Sequence, residues 1–267
     1  MSIVFEFKSC YNIYDLIEII RILREPGGCP WDAEQTHESI KKNLIEETYE
    51  VIEAINKADN SLLCEELGDL MMQVIFHAQM ETEIGSFNIN DVSNGVCKKL
   101  IERHPHVFGE VNVSGVSDVL TNWEVIKRRS KGQSNRSQAM LSIPKELPAL
   151  MRGYKVQQKA ASVGFDWPDI SGAIEKLDEE ILELKESIIG GSEEETLEEL
   201  GDVLFSIVNV SRFVGFDAEE ALTLATNKFI RRFTKVEQLA EEEKLDLQSA
   251  SLEKLNFLWD IAKQEKE

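Results

Sequence analysis

The sequence predicts an all-α fold of two tandem helical modules, and three observations carry that expectation. Apolar residues recur at helical spacing, as in Leu44, Val51, Ile52 and Ile55 and again in Leu177, Ile181, Leu184 and Ile188, whereas strand-like alternation is scarce. One carboxylate pattern occurs twice: Glu46, Glu47, Glu50, Glu66 and Asp69, then Glu179, Glu180, Glu183, Glu199 and Asp202, with every pair separated by 133 residues. Turn residues cut each copy at the same point, Asp59, Asn60 and Ser61 in the first and Gly190, Gly191 and Ser192 in the second. A register kept at five positions across a linker marks a duplicated module.

In chain order, residues 1–127 form the first module, 128–147 the linker and 148–267 the second module. Two long helices joined by so tight a turn lie antiparallel. Ser192 followed by three glutamates is a helix N-cap with acids in the favourable first turn. The linker assignment rests on the run through Gly132, Ser134, Asn135, Arg136, Ser137 and Pro144, which lacks sustained periodicity. The repeat extends beyond the acids. Lys99 and Arg103 match Lys228 and Arg232 at an offset of 129, while Trp31, Trp123 and Lys127 match Trp167, Trp259 and Lys263 at 136.

Composition narrows the function classes. At 267 residues with 42% hydrophobic content, the chain can bury sizeable cores. Its formal net charge of −20 repels a phosphate backbone, and no basic stripe interleaved with aromatics appears, so polymeric nucleic acid is not an expected partner. Cys10, Cys29, Cys64 and Cys97 form no CxxC pair and are expected as buried or incidental free thiols. No basic leader followed by an apolar run and no stretch of eighteen uninterrupted apolar residues is present, so the expectation is no membrane span and a cytoplasmic location.

The acids suggest a divalent cation. On a helix Glu46, Glu47 and Glu50 fall within one arc, as do Glu66 and Asp69 on the next helix, so an antiparallel hairpin brings carboxylates from both helices together. Such a cluster needs either Mg²⁺, which takes hard oxygen ligands, or a solvated surface, and glutamates on a first helix are commonly just a wet face. The second helix makes the stronger case. Leu67 to Met80 is apolar on most of its circumference with Asp69 its only acid, and Leu200 to Val210 repeats this around Asp202. Helices of that kind are expected to be buried, and a buried ionised group needs a partner, which favours a ligand role for Asp69 and Asp202. A helix apolar on so many sides also predicts burial against a second subunit, hence a homodimer.

Ser206 and Asn209 follow Asp202 at helical spacing, where the first copy has Gln73 and Phe76. This polar stripe reads equally as a contact for a base or sugar and as a pair of groups satisfied across a helix interface. Lys228 and Arg232, one turn apart, read as solvated cations or as phosphate contacts, and their recurrence after each acidic cluster tilts towards phosphate. Trp259 with Lys263 reads as core packing or as an aromatic wall with a further cation. Glu34 and His37 form a single Glu-x-x-His without a second, and His104 and His106 flank Pro105 at an expected helix stop. No glycine-rich phosphate loop, HExxH or nucleophile elbow is present.

The duplicated Glu-Glu-x-x-Glu and Glu-x-x-Asp pattern, preceded by Gly27-Gly28-Cys29-Pro30-Trp31-Asp32 and followed by Arg103-His104-Pro105-His106-Val107-Phe108-Gly109, resembles the MazG family of two-module nucleoside triphosphate pyrophosphohydrolases, from about Tyr14 to Lys263. The resemblance implies helical-bundle modules completed by dimerisation. It also implies Mg²⁺-dependent cleavage of nucleoside triphosphates between the α and β phosphates, with broad base tolerance and a role in cleansing nucleotide pools. By motif matching it makes Glu179, Glu180, Glu183, Glu199 and Asp202 metal residues, with Lys228, Arg232, Trp259 and Lys263 around the substrate. The C-terminal module is the one this family credits with hydrolysis, yet Glu46, Glu47, Glu50, Glu66 and Asp69 keep the full metal pattern in the first. A glutamate not fully engaged in ligation, Glu180 or Glu183, would take the proton of the attacking water. Two other readings compete: a non-catalytic acidic module that binds nucleotides or a protein partner, and a narrow-specificity relative acting on deoxypyrimidine nucleotides or phosphoribosyl-ATP.

Overall fold

The computed structural model describes residues 5–130 and 136–264, and every regular element among them is a helix. The chain divides into two compact units, Met1–Lys127 and Arg128–Glu267. In the first, α1 (Ile13–Arg24) and the short α2 (Pro30–Glu34) precede the long hairpin of α3 (His37–Lys57) and α4 (Asn60–Glu83). Then come α5 (Ile89–Arg103), the single turn α6 (Pro105–Phe108) and α7 (Val116–Ser130), which ends just past the unit boundary. Side-chain caps fix the helix starts. Thr36 and Ser39 form a capping box on α3, and the Asp59 carboxylate accepts from the backbone N–H of Ser61 and Leu62 at the start of α4. Ala58, in the left-handed region at φ 52°, closes the α3–α4 turn.

The core of this unit joins Ile20 of α1, Ile40 of α3 and Ile75, Phe76 and Met80 of α4, with Leu16, Ile17 and Leu23 packed against it. Arg24 ties the layer together: it donates to Glu83 on α4 and to the carbonyls of Asp32 in α2 and Gln35 at its C-cap. The α1–α2 loop must pass close to α1, and a Cβ on Gly28 would lie 2.2 Å from the Ile22 carbonyl oxygen, so only glycine fits there.

The second unit contains α8 (Arg136–Leu141), α9 (Ala149–Ala161), the hairpin of α10 (Ile170–Gly190) and α11 (Glu193–Val214), then α12 (Ala218–Glu242) and α13 (Leu252–Gln264). Helix α8 lies within the stretch expected to be linker. Ser192 caps α11 with the reciprocal Glu195 bond, and α9 packs on both α11 and α12. A separate core joins Val236 and Ala240 of α12 to Leu258 and Ala262 of α13, with Trp259 at its edge.

The expectation that the second hairpin helices are buried needs correction. In α4, Gln73, Ile75, Phe76, Ala78 and Met80 are buried, but Leu67, Met71 and Val74 face outward. In α11 only Ser206 and Val208 are buried, while Leu200, Leu204, Phe205 and Ile207 are exposed. Each module within one chain packs a single stripe of the helix, because the neighbouring helices reach only one side of it. The cysteines are all free, as expected of incidental thiols: Cys10, Cys64 and Cys97 are exposed and Cys29 is half-buried.

Candidate metal and nucleotide site

The hairpins bring acids from both helices to one point, as their spacing predicts. In the first unit Glu47 of α3 meets Glu66 and Asp69 of α4, and in the second Glu180 of α10 meets Glu199 and Asp202 of α11. In each trio one carboxylate oxygen per residue lies within 4.8 Å of the others. Corresponding members of the repeat occupy corresponding corners. Carboxylate oxygens so placed from two rigid helices suit a hard divalent cation.

The electrostatics show the strain of like charges. Partial burial and the neighbouring charges of Glu183, Glu180 and Asp202 hold the Glu199 carboxyl above its ordinary value. Burial raises Glu183 as well, helped by Glu180, with which it shares a carboxyl–carboxyl hydrogen bond. In the first unit, burial and the charge of Asp69 raise Glu47, and burial and Glu50 raise Glu66. Glu50 and Glu183 therefore stand beside the trios, one helical turn along from Glu47 and Glu180.

Asp202 corrects the burial argument made for it: it is exposed, and Asp69 is half-buried. The buried acid is Glu180, 6% exposed. It has a partner that the sequence reading missed, Lys176, whose Nζ lies 2.7 Å from Glu180 and 2.8 Å from Glu179. Glu179 is turned outward onto that lysine, and its counterpart Glu46 is likewise exposed; neither belongs to a trio. Lysine four residues before a glutamate on a helix that already clusters acids is the signal that would have found Lys176. The polar stripe divides between its two readings. Gln73 hydrogen-bonds Glu47 across α3 and α4, whereas Asn209 accepts from Arg212 Nη2 at 2.8 Å and lines a cavity.

The basic and aromatic candidates lie on other helices. Lys228 is exposed and Arg232 half-buried on α12, Trp259 sits with its ring centroid 5.0 Å from that of Phe229, and Lys263 pairs with Asp260 at 3.0 Å. In the first unit Lys99 is exposed, and the Arg103 guanidinium lies over the Trp123 ring at 5.1 Å, joining two residues that the repeat singles out. The side chain of Lys127 lies outside the described residues. His37 and His77 stack and share a 2.7 Å contact between their Nδ1 atoms, and His104 ends α5 with Nδ1 on the Leu100 carbonyl.

A duplicated helical hairpin, each copy gathering three carboxylates from two helices, defines a class of all-α proteins with paired acidic clusters that could hold a metal ion. The model of the MazG nucleotide pyrophosphohydrolase domain matches residues 35–108 and 170–237, each segment enclosing one trio. A nucleoside triphosphate pyrophosphohydrolase/pyrophosphatase MazG of Thermotoga maritima is 47% identical over 93% of this chain and 94% of its own. A nucleoside triphosphate pyrophosphohydrolase of Escherichia coli is 42% identical over 94% and 96%, and the uncharacterized protein YabN of Bacillus subtilis is 48% identical over 97% of this chain and 53% of its own. The chain belongs to the MazG nucleotide pyrophosphohydrolase family.

Proposed function

We propose that this chain hydrolyses nucleoside triphosphates to the monophosphate and pyrophosphate, that it depends on Mg²⁺, and that it accepts many bases. The observation that carries the reading is the convergence of Glu180, Glu199 and Asp202 in a pattern repeated by Glu47, Glu66 and Asp69. With a net charge of −20, the protein repels a free triphosphate, so the substrate enters the acidic site only as a metal complex. A divalent cation held there would supply charge neutralisation for the phosphates and Lewis-acid activation of the attacking water.

The residues then divide the work. Glu180, Glu199 and Asp202 would hold the cation, with their spacing fixed by the hairpin. Glu183 stands outside the trio with its carboxyl raised by burial and Glu180, so it is suited to take the proton of the attacking water. Asn209, seven residues after Asp202, meets the nucleoside. Lys228, Arg232, Trp259 and Lys263 meet the polyphosphate and its surroundings once the chain pairs with a second copy. The outward Leu200, Leu204 and Ile207 of α11 and Phe229 and Ile230 of α12 support a homodimer, since such apolar faces on neighbouring helices call for cover.

The test is product analysis with ATP and Mg²⁺. AMP and pyrophosphate, lost on adding EDTA, are the expected outcome. ADP and orthophosphate, or binding without turnover, would favour the regulatory reading.

A further inference from the structure

The two acidic sites are built from the same acids but not from the same charges. Each hairpin supplies the five repeated carboxylates, and three of them meet at one point: Glu47, Glu66 and Asp69 in the first unit, Glu180, Glu199 and Asp202 in the second. One turn before Glu180 stands Lys176, with its Nζ 2.7 Å from the carboxylate. The Glu180 side chain is almost wholly buried, so water and salt screen this pair only weakly. The first unit has Asn43 at the matching position, and there Glu47 is met by the Gln73 side chain. A neutral amide leaves a carboxylate its whole charge, whereas an ammonium offsets it.

Other charges that differ between the copies act elsewhere. Lys42 corresponds to Glu175 and Ile45 to Asp178, but all of these charged groups are exposed, where salt screens them. Lys41, also on α3, is paired with Glu38. Lys176 acts directly on a member of the trio. A unit charge about 6 Å from a divalent cation weakens its binding roughly tenfold even under water-like screening.

We propose that Lys176 makes the two sites unequal, so that the first unit takes a free divalent cation about tenfold more tightly than the second. The proposal rests on the metal-dependent hydrolase reading above. Any cation reaching the second trio competes with the Lys176 ammonium for Glu180, the acid least able to find another partner in water. In the first unit Asn43 offers no such competition. Free metal therefore loads the first unit at concentrations that leave Glu180 paired to its lysine.

The experiment is a titration of the full chain with Mn²⁺ in the absence of nucleotide, with free Mn²⁺ counted by its EPR signal. The expected isotherm has two classes of site per chain about tenfold apart. Asp69→Asn removes the tighter class and Asp202→Asn the weaker. Lys176→Met tightens the weaker class about tenfold. Asn43→Lys, which places a lysine four residues before Glu47, weakens the tighter class by a similar factor. Circular dichroism checks the fold of each variant. One swap removes a charge and the other adds one at a polar position, so a loss of fold in either leaves the other to decide. A single class of equal sites in the parent, no saturable binding, or two classes that the folded swaps leave unmoved would overturn the proposal. Absence of pyrophosphate release by the parent would instead overturn the hydrolase reading, and the Mn²⁺ isotherm, which needs no turnover, would still report on Lys176.

Discussion

Lys176 Nζ bridges Glu180 and Glu179 at 2.7 and 2.8 Å, placing a cation against the most buried acid of the second hairpin. The position 133 residues earlier is Asn43, so the first cluster has no such cation, and Glu47 relies there on Gln73. Lys176 thus offsets part of the like-charge repulsion in the metal-free second unit.

Lys176→Met is therefore expected to cost about 1–2 kcal/mol of metal-free stability, between the ranges for exposed and buried ion pairs. Mg²⁺ should restore most of it. Thermal unfolding with and without Mg²⁺ checks this, and a variant as stable as the parent in EDTA would show the bridge to be idle.

The acid clusters also set a pH dependence. Glu47, Glu66, Glu183 and Glu199 have carboxyls raised above the ordinary 4.5 by burial and like charge. The folded state then binds more protons than the unfolded one, so this contribution is complete below the unfolded value and is lost as pH rises through the folded values. Metal-free protein should melt lower at pH 8 than at pH 5.5, and the gain from Mg²⁺ should be larger at pH 8. A gain independent of pH would argue that these carboxylates do not meet the metal.

The opposite sign holds at the cavity. The Arg212 guanidinium keeps Asp166 below its ordinary 3.8, so the pair stabilises the fold above that value and the contribution disappears as pH falls through the depressed one. Asp166→Asn should destabilise at pH 7, and its difference from the parent should shrink as pH falls through the depressed value. Chemical denaturation across that range is the measurement.

Much of the fold was legible because helices declare themselves locally. The 3.6-residue periodicity, Asp59 and Ser192 as caps, and His104-Pro105 as a stop all sit where the helices begin and end. The trios followed from arithmetic, since acids one turn apart on antiparallel helices must converge. Burial was not legible. Asp202 was expected to be buried because α11 is apolar around its circumference, but circumference says nothing of which neighbours arrive, and within one chain they cover one stripe only. The cavity was hidden for a related reason. Gln157, Asp166, Trp167 and Arg212 lie on three segments, and only packing brings them to one wall.

The uncovered stripes lead to a prediction about assembly. Leu200, Leu204 and Ile207 should be shielded in a homodimer, and Leu204→Glu should shift the protein towards monomer. Light scattering at micromolar concentration reports it; a monomeric parent would contradict the dimer.

The central claim is that the carboxylates of the second unit hold the catalytic metal and that this unit carries most of the turnover. Its most direct test is pyrophosphate release from ATP at saturating Mg²⁺ by the parent, Asp69→Asn and Asp202→Asn, each checked for unchanged helicity. The account predicts a loss of orders of magnitude in Asp202→Asn and a modest one in Asp69→Asn. Full activity in Asp202→Asn, or a larger loss in Asp69→Asn, would contradict it.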